Sequence, residues 1–174
     1  MAGLAGLAGL ALSACEDSPT APAPAPACEG ATVPCFEVRV NGDQWVASNL
    51  RYDPLNGALI ARKDGAGDDY EFVVLVFPNP MTVGAATFMA PGGRPNAAFG
   101  VVPSPSAYVD LFLTTDEAGG ALQITQLSEF NEGVTGTFAF EAKHQETDQT
   151  VTLARGTFAV TVACTPGPCA VPEP

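Results

Sequence analysis

Apolar and charged residues alternate where the first regular pattern of this chain of 174 residues begins. The stretch from Phe36 to Val40 reads FEVRV, and such a two-residue period is typical of a strand with one buried face. Asn41-Gly42-Asp43 is a tight-turn signal, and residues 44–47 (QWVA) resume an extended pattern. The pattern therefore predicts an antiparallel hairpin near the start of the folded region.

Short apolar segments of this kind recur to the end of the chain, separated by turns, and the chain has 18 glycines and 16 prolines. Residues 72–77 (FVVLVF) are apolar without alternation, which predicts a strand covered on both faces. No convincing amphipathic helix is present. The sequence predicts an all-β domain over residues 35–164, an antiparallel β-sandwich or flattened barrel of about eight to ten strands. Its further strands are expected at 58–61 and 70–77, near 86–90, 98–102, 108–114 and 121–127, and at 137–142, 151–153 and 156–162, with Phe138, Phe140, Phe158, Val160 and Val162 in the core.

The N-terminal segment has a different composition. Residues 1–14 read MAGLAGLAGLALSA, which as a helix would span only about 21 Å, too short for a hydrocarbon core of roughly 30 Å. An apolar run of this length that ends in small residues is typical of a secretory signal peptide. Leu12-Ser13-Ala14-Cys15 resembles the lipobox of bacterial lipoproteins, which implies cleavage before Cys15 and lipidation of its sulfur. The alternative is a buried cysteine after a short core helix.

Prolines dominate the residues that follow Cys15. They fix φ and remove backbone donors, so residues 15–34 are predicted to form an extended, semi-rigid tether. The lipid anchor, the tether and the β domain would then follow one another along the chain. This order predicts a protein of the bacterial cell envelope, at the outer membrane or a periplasmic face, with surface exposure left open.

Four cysteines remain if Cys15 carries lipid: Cys28, Cys35, Cys164 and Cys169. An even number is typical of disulfides formed in an oxidising compartment. Local pairing, Cys164 with Cys169 and Cys28 with Cys35, is slightly favoured, since Pro-Gly between Cys164 and Cys169 suits a tight turn and would make residues 165–174 a disulfide-closed tail. Pairing of Cys35 with Cys164 is the alternative, and it would stabilise more because it closes a longer loop.

Several motifs resemble those of a family of small bacterial envelope lipoproteins of unknown function. They are FEVRVNGDQWVA, GALIAR, GTFAFEA and VTLARGTFAV, which together cover most of residues 36–162. The resemblance implies an all-β domain on a lipid tether, and it implies no activity and no catalytic residues.

The charge balance narrows the set of partners. Nineteen acidic residues against seven basic ones give a formal net charge of −12. A surface of this charge repels phosphate backbones, so nucleic acid is not expected as a partner. Contact with the membrane is expected through the lipid, and an envelope protein or a glycan is the expected partner.

Candidate chemistry is sparse. The single histidine, His144, lies in a predicted polar turn and is expected to be solvated, so no catalytic residue is assigned. Asp64, Asp68 and Asp69 share a glycine-containing loop and form a weak Ca²⁺ candidate, although a plain hairpin loop explains them as well. Trp45, the only tryptophan, is a weak candidate for stacking on a sugar, and burial in the core is favoured.

Two functions follow from these patterns. The first is a non-catalytic, lipid-anchored envelope lipoprotein, acting as a binding or accessory structural module without a cofactor. The second is a secreted, glycan-directed hydrolase whose site is dispersed over carboxylates or includes His144.

Overall fold

The structure is a computed structural model that describes residues 28, 34–53, 55–103, 109–117, 119–127 and 133–160. Within these residues the chain is all-β, and an antiparallel sheet curls into a half-barrel. The sheet has eleven strands, one more than the upper end of the expected range. They are β1 (Cys35–Val40), β2 (Asp43–Val46), β3 (Asn49–Asp53), β4 (Ala58–Asp64), β5 (Tyr70–Val76), β6 (Gly84–Thr87), β7 (Asn96–Val102), β8 (Asp110–Leu113), β9 (Gly120–Leu127), β10 (Val134–His144) and β11 (Thr150–Val160).

The strand order along the sheet is β2-β1-β11-β10-β8-β7-β5-β4-β3, and β9 pairs with β10 and with β6 off this path. The predicted β1–β2 hairpin is confirmed. Its turn residues Asn41 and Gly42 have φ of 50° and 95°, the left-handed conformation that a two-residue hairpin turn needs. The Asn41 side chain also accepts a hydrogen bond from the Thr152 amide at 3.0 Å, which fixes the turn against β11.

Two consecutive residues, Ala47 and Ser48, hold the sheet in its curled shape. The Ala47 amide donates to the Phe36 carbonyl at 3.0 Å and so extends the β2–β1 ladder. The Ser48 amide donates to the Arg62 carbonyl at 2.8 Å and so extends the β3–β4 ladder. Because β2 and β3 are the two ends of the strand order, consecutive residues join opposite edges of the same sheet.

The curl gives the half-barrel two distinct ends. We call the end with the β1–β2, β4–β5 and β10–β11 turns the mouth, and the opposite end the base. Strand β1 begins at the base with Cys35, which lies opposite Ala159 near the end of β11. The chain therefore both enters and leaves the described domain at the base.

A disulfide between Cys28 and Cys35, with a Cα–Cα distance of 5.5 Å, fastens Cys28 to the base. Cys28 is buried, and its Sγ lies 3.7 Å from the Thr157 carbonyl oxygen on β11. This bond agrees with the favoured local pairing and excludes a bond between Cys35 and Cys164 in this structure.

Strands β10 and β11 carry much of the core. Phe138, Phe140, Phe158 and Val160 are buried as predicted, whereas Val162 lies outside the described residues. The sequence predicted two strands, 151–153 and 156–162, where the structure has β11 alone. Arg155, with φ of 54°, forms a bulge that shifts the register with both neighbouring strands. The bulge lets a single strand continue where the sequence pattern predicted a break between 153 and 156. Strand β3 was missed by the sequence pattern.

Three phenylalanines each face a glycine directly across a strand pair. The pairs are Phe72 with Gly100, Phe158 with Gly136, and Phe138 with Gly156. A Cβ atom on any of these glycines would overlap the facing ring. Each ring therefore occupies the space that a glycine side chain leaves empty, a pairing that helps to define the register.

We predict that Gly156→Ala destabilises the protein by about 1–3 kcal/mol, because the new methyl group overpacks against Phe138. Urea unfolding followed by circular dichroism would measure the change, with Thr137→Ala on the exposed face of β10 as a control expected within about 0.5 kcal/mol of wild type. In a Phe138→Leu background the glycine substitution should cost less. Additive costs in the double variant would contradict the ring–glycine explanation.

Candidate functional site

The mouth of the half-barrel contains an open cleft of about 570 Å³. Strands from both halves of the sheet contribute to it, among them β1, β2, β4, β5, β7, β8 and β11. A concave site of this size with an apolar floor and a few polar groups is typical of a binding site for a small ligand. The cleft is therefore the candidate functional site.

The floor of the cleft is aromatic and aliphatic. Trp45 and Phe99 are 2% and 4% exposed, respectively, and belong to the core, whereas Phe112 is half-buried. The rings of Phe99 and Phe112 lie 6.1 Å apart on neighbouring strands. Trp45 therefore supports the cleft from below, and its ring face is too covered to stack on a sugar.

A hydrogen bond across the half-barrel fixes one wall of the cleft. The Trp45 indole Nε1–H donates to Glu71 Oε2 at 2.6 Å, which joins β2 to β5. Lys63 Nζ, on β4, lies 3.7 Å from the same oxygen. Glu71 lies on the same face of β5 as the buried Val73 and Leu75. The row of inward-facing core residues on this strand therefore ends in a carboxylate at the mouth.

Two further carboxylates line the cleft, Asp43 on β2 and Asp110 on β8. Asp110 Oδ1 lies 3.8 Å from His144 Nε2, and the Asp110 side chain is exposed. The cleft thus holds three carboxylates and one ammonium group, which leaves it with an excess of negative charge.

His144 differs from the expected solvated histidine. It is the last residue of β10, and its side chain is only 13% exposed. The ring packs edge-on against Phe112 at 5.1 Å between centroids. His144 Nδ1 accepts hydrogen bonds from the amides of Glu146 and Thr147, both at 3.2 Å. In the neutral ring the proton is therefore on Nε2, toward Asp110. The Nδ1 lone pair accepts the two amides and so caps the turn that follows β10.

The loop proposed for Ca²⁺ is organised by other bonds. Asp64 accepts hydrogen bonds from Arg62 Nε at 2.6 Å and from Ser48 Oγ at 2.7 Å. Asp68 and Asp69 are exposed, and the Asp69 carbonyl accepts the Gly65 amide at 2.8 Å as in a plain hairpin loop. Among the described residues, no group of three His, Cys, Asp or Glu side chains is placed to hold a metal ion.

The remaining candidate residues lie largely outside the described part of the chain. This holds for the lipidation candidate Cys15 and for the second cysteine pair, Cys164 and Cys169. The structure brings Trp45 to the cleft and places the Asp64–Asp69 loop at the same end of the half-barrel, although none of its three aspartates lines the cleft.

Sequence reasoning missed Asp43, Lys63, Glu71 and Asp110 as neighbours. They lie on four strands, and only the strand order brings them to one end of the sheet. One local signal was available: Glu71 comes just before an apolar run, at a position that faces inward with the core residues. A carboxylate at such a position marks the point where a core ends or a polar site begins.

No family model matches the chain, and the comparisons with curated proteins and with solved structures found no match. In the described part of the chain, no helix has the length and the apolar character needed to span a membrane.

We predict that Glu71→Ala lowers the free energy of unfolding by about 1–3 kcal/mol, because it leaves the buried Trp45 N–H without an acceptor. Glu71→Gln keeps an oxygen in place and should lose less. Urea unfolding followed by circular dichroism would test this, with Glu141→Ala on the exposed face of β10 as the matched control. Equal stability of the two alanine variants would contradict the role assigned to the Trp45–Glu71 bond.

The pKa of Asp64 gives a second prediction. The hydrogen bond from Ser48, followed by the interactions with Arg62, holds the Asp64 pKa below its ordinary value of 3.8. A lowered pKa in the folded state stabilises the protein above 3.8, and this contribution is lost as the pH falls through the folded-state pKa. Ser48→Ala should therefore raise the Asp64 pKa toward 3.8 and destabilise the protein at neutral pH more than in acid.

The carboxyl carbon shifts of the aspartates, followed by NMR against pH, would measure this pKa. Asp148, whose pKa is lowered by Lys143, serves as an internal control and should not respond to the substitution. An unchanged Asp64 pKa in the Ser48→Ala variant would show that Ser48 does not set it.

Proposed function

We propose that the protein is a non-catalytic, lipid-anchored binding module of the bacterial cell envelope and that the mouth cleft is its ligand site. The observation that carries this proposal is the placement of the cleft. It opens at the end of the half-barrel opposite Cys35 and Val160, where the described domain is entered and left. A tether attached at the base would leave the cleft pointing away from the membrane.

The N-terminal sequence supports the anchor. An apolar run, the LSAC motif and a proline-rich segment precede the β domain in the order that a lipoprotein requires. The Cys28–Cys35 disulfide shortens the free tether to the residues from Cys15 to Cys28. As an extended spacer at about 3.1 Å per residue, this segment would reach about 40 Å.

Charge supports an envelope ligand over other partners. With a net charge of −12, the chain repels nucleic acid and anionic lipid headgroups, so attachment to the membrane is assigned to the lipid at Cys15. A soluble ligand or an envelope component with a cationic or neutral surface is compatible with the acidic cleft.

The histidine geometry supports binding over catalysis. A general base needs a free lone pair directed at its substrate, and the His144 Nδ1 lone pair accepts two backbone amides instead. The second candidate, a glycan-directed hydrolase, draws support from Glu71 and Asp110, which line one cleft, and from His144, whose Nε2 lies 3.8 Å from Asp110 Oδ1. Hydrolysis of an envelope glycan by the wild-type protein that is lost in Glu71→Gln and Asp110→Asn would favour this candidate.

We predict that the full chain expressed in a bacterium is recovered from the membrane fraction with a mass that begins at Cys15 and includes acyl chains. Each disulfide should make the mass two hydrogens lighter than that of the reduced chain. Cys15→Ser should abolish acylation and release the protein from the membrane, whereas Ser18→Ala in the tether should behave like wild type. An unacylated wild-type mass that retains residues 1–14 would contradict the anchor.

A further inference from the structure

We propose that the mouth cleft binds a linear polyamine, an organic cation whose ammonium groups are separated by methylene chains. This inference rests on the cleft being the ligand site, as proposed above, and adds the chemical class of the ligand. Its basis is the combination of an apolar floor with carboxylates that are spread around the opening.

The charge of the cleft favours a cation. Asp43, Glu71 and Asp110 line it, and Lys63 is the only ammonium among its lining residues. Lys63 lies next to Glu71, which already accepts the Trp45 N–H. Among the described residues, no hydrogen bond or ion pair engages the Asp43 side chain, and Asp110 has only the contact with His144. Two carboxylates are thus available to a positively charged ligand.

The spacing of the carboxylates favours an extended cation over a compact one. They lie on β2, β5 and β8, and the described residues hold no group of three acidic, histidine or cysteine side chains that could surround one metal ion. A linear polyamine can place separate ammonium groups at separate carboxylates. Its methylene segments can then lie against Val101 and Phe112 on the floor.

Lys63 shows how an alkylammonium group fits this wall. Its side chain lines the cleft, and its Nζ lies 3.7 Å from a Glu71 oxygen that the Trp45 indole holds in place. A bound polyamine would make the same kind of contact. A sugar would find a poorer site, because Trp45 and Phe99 are almost fully covered and expose little ring face for stacking.

Spermidine is the probe that we would use on the full-length protein at low ionic strength. Trp45 is the only tryptophan, forms part of the cleft floor and donates to Glu71, so its fluorescence is expected to respond when the cleft is occupied. We expect a saturable change in fluorescence, matched by calorimetry, that weakens as salt is added. MgCl₂ at equal ionic strength should not reproduce it.

Four variants locate the site. Asp43→Asn and Asp110→Asn should each weaken spermidine binding by about two- to fivefold, the range expected for one exposed ion pair. Asp116→Asn, outside the cleft, removes the same charge and should bind like wild type. Lys63→Met keeps much of the aliphatic stem, removes the competing cation, and should tighten binding by about two- to fivefold. Thermal unfolding of each variant verifies that the fold is retained.

The inference is overturned if spermidine gives no saturable signal, if MgCl₂ reproduces the signal, or if Asp116→Asn weakens binding as much as the cleft variants do. Weaker binding by Lys63→Met would also overturn it. These outcomes leave the anchored binding module intact if another ligand, such as an envelope oligosaccharide, perturbs Trp45. An unacylated wild-type chain would instead contradict the anchor without affecting spermidine binding.

Discussion

The fold depends on the transfer of the chain from one edge of the sheet to the other at Ala47 and Ser48. Their amides continue two different ladders, so the β1–β2 hairpin and the β3–β4 hairpin cannot move apart without breaking hydrogen bonds. This connection between the two edges makes the sheet curl, and the curled sheet has a concave face that encloses the core. Trp45 and Glu71, far apart in the strand order, come within hydrogen-bonding distance for the same reason. Corners of this kind, where a chain moves between ladders, are a general way of folding a sheet over itself.

The residues on the concave face of the half-barrel change from apolar to charged toward the mouth. Deeper in the half-barrel, inward positions are apolar, mostly Phe, Leu, Val and Ala, and their burial removes apolar surface from water. At the mouth, the same inward faces carry Lys63, Glu71 and Asp110, because charged groups there can remain partly hydrated. The strand periodicity is unbroken across this boundary. The cleft thus requires no special loop, since it is the place where the apolar pattern of the strands ends.

Local chemistry explains what could be predicted from the sequence. Asn41-Gly42 specifies a hairpin, and alternation around Phe138 and Phe140 specifies an inward face; both features depend on neighbours in the chain. Strand β3 lacks such a pattern and exists because its ladder with β4 is available. Arg155 has a positive φ because two neighbouring strands need a bulge there. The cleft depends on the order of strands, which no local pattern contains, so its carboxylates were missed and the turn-capping role of His144 was not foreseen. The lipid anchor, the second cysteine pair and the family resemblance remain predictions.

The pairing of β1 with β11 determines how much of the chain must be synthesised before the domain can fold. The first strand lies between β2 and the last strand, so half of its backbone partners do not exist until residue 160 has been synthesised. Strand β10 likewise needs β11 to cover Phe138 and Phe140. Pairings this distant in sequence form late, after the cost of closing the whole loop has been met. A nascent chain that ends before β11 can form local hairpins such as β3–β4 but cannot complete its core, so the cooperative fold must wait until the last strand has been made.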